Sequence, residues 1–238
     1  MSARPPVLPL HGLGTSADTT WRTNGWIDLL GDEGREVIAP DLLGHGAAPR
    51  PIDPVAYTRL EAEVADQLPP GPIDAIGFSL GARILLTLAA SEPERFRRLV
   101  VAGVGANLFR PMDPEPLAQA LEQGRATGDP GIDYFIRLAT SGATDGRAMA
   151  ALLRSPGRGP LDPAALRAVT LPVLVVMGGA DFAGPPDPPV DALPEARLLL
   201  LARCDHASTP KDLRFLDAAI TFLADGLDDG HDDGHERP

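Results

Sequence analysis

The sequence predicts an α/β fold in which a mostly parallel sheet carries helices on both faces. Short apolar runs of strand length alternate with amphipathic stretches of helical character, and Gly, Pro and Asp bound the runs. Continuous apolar runs of this kind are typical of strands buried on both faces of a parallel sheet. The chain of 238 residues is long enough for one domain with a sizeable core.

The individual elements follow from this alternation. The candidate strands, which predict a sheet of about six strands, lie at 7–10, 36–39, 73–76, 99–102, 173–177 and 197–201. The candidate helices between them lie at 20–31, 55–68, 80–91 and 211–224. Parallel strands joined by helices imply right-handed crossovers.

The alternation stops at residues 107–171, where helical stretches occur without a strand candidate. We expect a small helical cap insertion there, carried by a core formed from residues 1–106 and 172–224. The last stretch, 225–238, mixes acidic residues with glycine and two histidines. That composition predicts a disordered, solvating acidic tail.

Composition narrows the range of partners. A formal net charge of −12 without a basic cluster argues against nucleic acid, and no apolar run is long enough to span a bilayer. The first residues lack the pattern of a secretory signal, so we expect a cytoplasmic protein that acts on a small molecule. The single cysteine, Cys204, excludes an intrachain disulfide and a cysteine-rich zinc site.

The strongest chemical signal is the segment Gly-Phe-Ser-Leu-Gly at 77–81, which follows a candidate strand and opens a candidate helix. In this context a serine occupies a strained strand-to-helix turn that exposes its hydroxyl above the sheet. The positive end of the helix dipole also points at that position. We therefore predict Ser79 as the nucleophile of a hydrolase.

A serine hydroxyl needs a base, which is most often a histidine. Two of the five histidines lie in the acidic tail, while His11 and His45 precede glycines in loops after early strands. His206 follows the last candidate strand. The order of nucleophile, acid and base in hydrolases with this serine turn favours His206.

The base needs a carboxylate that fixes its tautomer. Asp181 follows the candidate strand at 173–177 and is our prediction for this role. Asp187 and Asp113 remain alternatives. Asp205 is disfavoured because side chains of sequence neighbours rarely point at each other in the required geometry.

The oxyanion of the tetrahedral intermediate needs main-chain donors. The amide of Leu80, directly after the nucleophile, is one candidate. The other comes from the loop at residues 11–14, where we assign Leu13 and keep Gly12 as an alternative. His11 would then brace this loop.

Together these segments resemble the α/β-hydrolase superfamily: His-Gly-Leu-Gly at 11–14, Pro-Asp-Leu-Leu-Gly-His-Gly at 40–46, the serine turn, Gly-Ala-Asp at 179–181 and Asp-His at 205–206. The resemblance covers about residues 7–223. It implies the α/β-hydrolase fold, with the nucleophile at the strand ends and a helical cap before the acid-bearing strand. It also implies that neither a metal nor an organic cofactor is required.

The sequence departs from the family pattern in three respects. Only about ten residues precede the His-Gly loop, where relatives usually carry two further strands. The run at 36–39 would then form a sheet edge that a second copy could cover, which predicts a homodimer. Ala82 and Asp205 stand where glycine is usual in relatives.

These features predict a serine hydrolase, similar to carboxylesterases, that cleaves a carboxylic ester of a small or medium apolar substrate through an acyl-enzyme. The same triad would also serve a carbon–carbon bond, thioester or lactone hydrolase, and a non-catalytic binding protein is the remaining alternative. Serine as nucleophile argues against branches of the family that use aspartate. The candidate pocket residues are Phe78, Phe109, Met112 and Phe182.

Overall fold

Within residues 4–226, which the computed structural model describes, five strands form one parallel sheet in sequential order. The strands are β1 (Val7–Leu10), β2 (Ile73–Phe78), β3 (Phe96–Ala102), β4 (Val173–Gly178) and β5 (Ala196–Leu201). Residues 227–238 of the predicted acidic tail lie outside the described residues. The α/β class expected from the alternating pattern is confirmed.

The predicted strand at 36–39 is reduced to one parallel bridge between Val7 and Val37. The next rung of a parallel ladder would use the main-chain nitrogens of Pro9 and Pro40, which carry no hydrogen. The prediction of about six strands is therefore one too many, because proline stops the pairing. The homodimer inferred from this edge stays a prediction.

Nine α-helices in the described part of the chain connect or cover the strands. They are α1 (Trp26–Asp32), α2 (Leu60–Ala65), α3 (Leu80–Ser91), α4 (Glu115–Gln123), α5 (Pro130–Thr140), α6 (Gly146–Leu153), α7 (Pro163–Leu166), α8 (Asp187–Ala192) and α9 (Leu213–Ala224). The predicted helices at 20–31 and 55–68 are each split into a short turn and a helix. Gly25, with φ 80°, interrupts the first of them.

Alternating side chains of the strands supply a hydrophobic core on each face of the sheet. Leu99 and Val101 of β3 belong to the core shared with α2 and α3. Val100 and Ala102 belong to the opposite core, which includes residues of α1 and α9. Burial on both faces explains the continuous apolar runs of β1 and β4, whereas the apolar run of β5 leaves Leu198 and Leu200 exposed.

The segment between β3 and β4 folds as helices without a strand, and its assignment as a cap insertion at residues 107–171 stays a prediction. Arg154, at the end of α6, donates to Glu115 (2.8 Å) and Glu122 (2.5 Å) of α4. Leu121 of α4 and Met149 of α6 are buried in the core that includes α3. The cap helices are thus bound to each other and packed on the sheet layer.

A buried ion cluster lies at the amino end of the sheet, opposite the predicted site. The carboxylate of Asp74 is fully buried and pairs with the buried guanidinium of Arg35 and with Arg97 (2.5 Å). Arg35 also donates to the carbonyl of Pro5 (2.8 Å). Charges buried in this way depend on their partners, since each alone would be poorly solvated.

Replacing Asp74 with Asn should lower the free energy of unfolding by about 3–5 kcal/mol, because Arg35 would remain buried without its counter-charge. Urea unfolding followed by circular dichroism measures this change. The matched control is Asp18→Asn, which removes an exposed partner of Arg22 and should change stability by less than about 0.5 kcal/mol. Equal effects of the two substitutions would contradict the prediction.

Candidate active site

Ser79 lies on a sharp turn between β2 and α3, with φ 52° and ψ −108°. This conformation is strained for a residue that carries a Cβ. Flanking glycines make the turn possible: a Cβ on Gly77 would lie 2.5 Å from the Cα of Ala82, and one on Gly81 would collide with the carbonyl of Leu10. The first turn of α3 therefore packs directly on the end of β1.

His206 lies in the loop after β5, and only 4% of the residue is exposed. Its Nδ1 is 2.9 Å from both carboxylate oxygens of Asp181. Two phenyl rings pack near the imidazole, with centroid distances of 4.8 Å to Phe78 and 4.4 Å to Phe182. A carboxylate on Nδ1 selects the tautomer with a free Nε2, which is the arrangement a general base requires.

Main-chain hydrogen bonds fix the position of Asp181. Its carboxylate accepts the amide of Ala183 (2.9 Å), and the amide of Ala180 donates to the carbonyl of Cys204 (2.9 Å). The amide of Asn107, at the start of the cap, donates to the carbonyl of Ala183 (3.3 Å). The loop after β4 is thereby attached both to the histidine loop and to the cap.

The other carboxylates considered as the acid of the triad have different positions or partners. Asp205 accepts the amide (2.8 Å) and the hydroxyl (2.5 Å) of Ser208, and these bonds lower the pKa of its carboxyl group. Asp113 accepts the amide of Glu115, and Asp187 is the first residue of α8. Among the described residues, Asp181 is the carboxylate that bonds to the imidazole of His206.

Ser79 and His206 share Phe78 as a neighbour, because Phe78 precedes the serine and its ring packs on the imidazole. Within residues 4–226 no hydrogen bond joins the serine Oγ to His206. Catalytic hydrogen bonds are often long in the absence of substrate and tighten in the complex. The structure thus joins two members of the predicted triad directly and the third through a common neighbour.

The two predicted oxyanion donors, Leu13 and Leu80, both line the cavity described below. Neither main-chain amide donates a hydrogen bond to any other described residue. The carbonyl of Gly12 accepts the hydroxyl of Thr15 (2.9 Å), which holds the loop in place. Gly12, the alternative donor, does not line the cavity.

His11 braces the same loop with both ring nitrogens. Nδ1 donates to the carbonyl of Gly12 (2.9 Å), and Nε2 accepts the amide of Leu42 (3.0 Å). Burial lowers the pKa of His11 to about 4. Burial, together with the nearby His11, lowers the pKa of His45 to about 3. Both rings are neutral at physiological pH.

A cavity of about 730 Å³ opens above Ser79 between the sheet and the cap. Met112 and Phe182, two of the predicted pocket residues, line it. Phe78 and Phe109 do not. Phe78 ends β2 and is buried against His206, while Phe109 packs on the core that includes α3.

Several polar residues of the cavity were missed in the sequence. Arg83, Ser155 and Arg158 also line the cavity. Arg83 follows Ser79 by four residues, which places it one helical turn along α3. That spacing is visible in the sequence. Ser155 and Arg158 carry no such signal, because their positions depend on how the cap loop folds back.

Among residues 4–226, no group of three or more His, Cys, Asp or Glu side chains is arranged to hold a metal ion. None of the helices described there combines the length and apolar character required to cross a membrane.

A family model described as the α/β hydrolase fold matches residues 5–159 of the chain. A pimeloyl-[acyl-carrier protein] methyl ester esterase of Nitrosomonas europaea is 30% identical over 230 residues, which cover 85% of this chain and 89% of that protein. A 2-hydroxymuconate semialdehyde hydrolase of Pseudomonas sp. strain CF600 is 38% identical over 105 residues, 41% of this chain and 36% of that protein.

Among solved structures, the enol-lactonase from Burkholderia xenovorans LB400 matches with a TM-score of 0.73 and 20% identity. The match covers 93% of this chain and 92% of that chain. At this identity the likeness concerns the fold, and it confirms the fold expected from the sequence.

The two buried histidines predict a loss of stability in acid. The unfolded chain takes up protons at histidine near pH 6.5, whereas folded His11 and His45 stay neutral until about pH 4 and about pH 3. Stability should therefore be full above about pH 6.5 and fall below it, by about 1.4 kcal/mol per pH unit for each histidine.

Urea midpoints at pH 7 and pH 5 measure this loss. The variant His11→Gln keeps an acceptor for the amide of Leu42. Its loss of unfolding free energy between pH 7 and pH 5 should be smaller by the part that His11 contributes in the native chain. An unchanged loss in the variant would show that His11 does not carry the effect.

Proposed function

The chain belongs to the α/β-hydrolase family of hydrolases, and from this premise we propose that it cleaves a carboxylic ester through an acyl-enzyme on Ser79. The observation that carries the proposal is the strained Ser79 at the base of a cavity, with the bonded pair of His206 and Asp181 beside it. The relative from Nitrosomonas europaea, named as a methyl ester esterase, supports an ester as substrate class.

In the first half of the proposed reaction, the Oγ of Ser79 attacks the ester carbonyl while Nε2 of His206 takes its proton. Asp181 stabilises the imidazolium that forms. Leu13 and Leu80 line the cavity and their amides have no other acceptor among the described residues, so we assign them to the developing oxyanion. The imidazolium of His206 then donates the proton to the leaving oxygen of the ester, which releases the alcohol and leaves an acyl-enzyme.

In the second half, water attacks the acyl-enzyme and His206 takes a proton from it. Collapse of the second tetrahedral intermediate returns the proton to Ser79 and releases the carboxylic acid. The rings of Phe78 and Phe182, packed near the imidazole, would restrict its rotation through both steps. The net reaction converts one ester and one water to one carboxylic acid and one alcohol.

A second reaction, hydrolysis of a carbon–carbon bond with the same triad, is favoured by one observation. The partial match to a 2-hydroxymuconate semialdehyde hydrolase covers 41% of the chain. Thioesters and lactones would use the same carbonyl chemistry. A panel of esters of graded chain length, thioesters, lactones and a vinylogous diketone separates these reactions by their relative kcat/KM values.

A fluorophosphonate probe should label the native chain on Ser79, because an activated serine attacks phosphorus as it attacks an ester. Intact-mass spectrometry detects the adduct. The variant Ser79→Ala should show neither labelling nor ester turnover, while Ser155→Ala, which removes another cavity serine, should still be labelled. Absence of labelling in the native chain would overturn the hydrolase mechanism.

Replacing Asp181 with Asn should reduce kcat for a p-nitrophenyl ester by about 10³- to 10⁴-fold, because the imidazole loses the carboxylate that fixes its tautomer. The matched control is Asp187→Asn, in the same loop region, which should stay within about twofold of the native chain. Near-normal turnover of the first variant and a collapse of the second would move the acid to Asp187.

A further inference from the structure

Two residues that line the cavity, Ser155 and Arg158, carry buried donors without acceptors. The side chain of Arg158 is 13% exposed and pairs with Glu61 at 3.1 Å through one nitrogen, while its Nε is buried without a hydrogen-bond partner. The hydroxyl of Ser155, a residue 5% exposed, is also buried without a partner. Unsatisfied buried donors are rare in native proteins and require an explanation.

Arg83 adds a second cation to the same wall. Its guanidinium donates to the carbonyl of Gly159, and it forms no ion pair with any carboxylate in residues 4–226. Burial and then the nearby Arg158 lower the pKa of Arg83, while Glu61 opposes the shift. Two guanidinium groups therefore share one carboxylate in a chain whose formal net charge is −12.

The position of Arg83 does not stabilise the helix α3 that carries it. It is the fourth residue of α3, where the positive end of the helix dipole disfavours a cation. Ser79 lies one turn before it, about 6 Å along the helix axis. An anion bound by Arg83 would therefore lie within a small molecule's length of the nucleophile.

We propose that Arg83, Arg158 and Ser155 form a subsite for an oxyanion, so that the preferred ester carries a carboxylate several bonds from its scissile carbonyl. The inference rests on the proposed function for the ester and on these unpartnered donors for the anion. A carboxylate in the cavity would accept from the guanidinium of Arg83, and side-chain rotation of Ser155 and Arg158 would bring their buried, unpartnered hydroxyl and Nε to the same anion. Guanidinium groups suit carboxylate geometry, and their bonds to it are charge-assisted.

The kinetic test compares charged and neutral esters of matched length in two arms. The first arm, with the carboxylate on the acyl side, compares monomethyl adipate with methyl hexanoate. The second arm, with the carboxylate on the alcohol side, compares 4-acetoxybutyrate with butyl acetate. We expect kcat/KM to favour the charged ester in one arm by about 10- to 100-fold, the range of a charge-assisted hydrogen bond.

The variant Arg83→Gln should reduce that preference by about tenfold or more, and Arg83→Lys should restore part of it. The matched control, Arg125→Gln, replaces an exposed arginine outside the cavity and should leave the preference unchanged. If Arg83→Gln lowered turnover of both esters equally, the arginine would act only by holding the cap loop. No preference in either arm would overturn the subsite.

A binding measurement separates this inference from the proposed function. Isothermal titration of the preferred charged ester into Ser79→Ala should detect binding that weakens by about tenfold or more when Arg83→Gln is added. Binding that depends on Arg83, without any ester turnover by the native chain, would support the subsite and overturn the esterase. Ester turnover that shows neither a preference for the charged ester nor binding dependent on Arg83 would support the esterase and overturn the subsite.

Discussion

The close approach of α3 to the end of β1 is the constraint on which the site depends. Gly77 and Gly81 leave no Cβ between the helix and the strands, and Ser79 takes the strained conformation that joins them. That junction sets the direction of α3, and with it the wall of the cavity that Arg83 enters. A methyl group at either glycine would shift the nucleophile and the cation together, since one rigid helix carries both.

Three buried histidines differ in the groups that their rings contact. His11 satisfies both ring nitrogens with main-chain groups, and desolvation keeps it neutral as a structural residue. His45 is similarly neutral and packs edge-on against it, with ring centroids 5.2 Å apart. His206 is also buried, but a carboxylate lies on its Nδ1 and the rings of Phe78 and Phe182 pack near it. The group bonded to each ring, rather than its burial, distinguishes the structural histidines from His206, the candidate base.

Much of the fold and part of the site follow from local sequence. Strands buried on both faces leave unmistakable apolar runs, and the glycines around Ser79 mark a turn that few other residues could form. The missing sixth strand shows the limit of that reasoning: the run at 36–39 has strand composition, but pairing stops where Pro9 and Pro40 lack the amide hydrogens of the next rung. Arg158 and Ser155 depend on how the cap loop folds over α3, which no periodicity of the sequence encodes.

The prolines of β1 have a consequence for solubility during folding. Alternate residues of a strand direct their main-chain groups to the same side, and on the outer side of β1 these are Pro5, Val7 and Pro9. Only Val7 offers an amide hydrogen there, and the carbonyl of Glu36 accepts it (2.8 Å). A newly made or partly unfolded copy therefore meets an edge with no donor left to extend the sheet, which blocks one common route to aggregation.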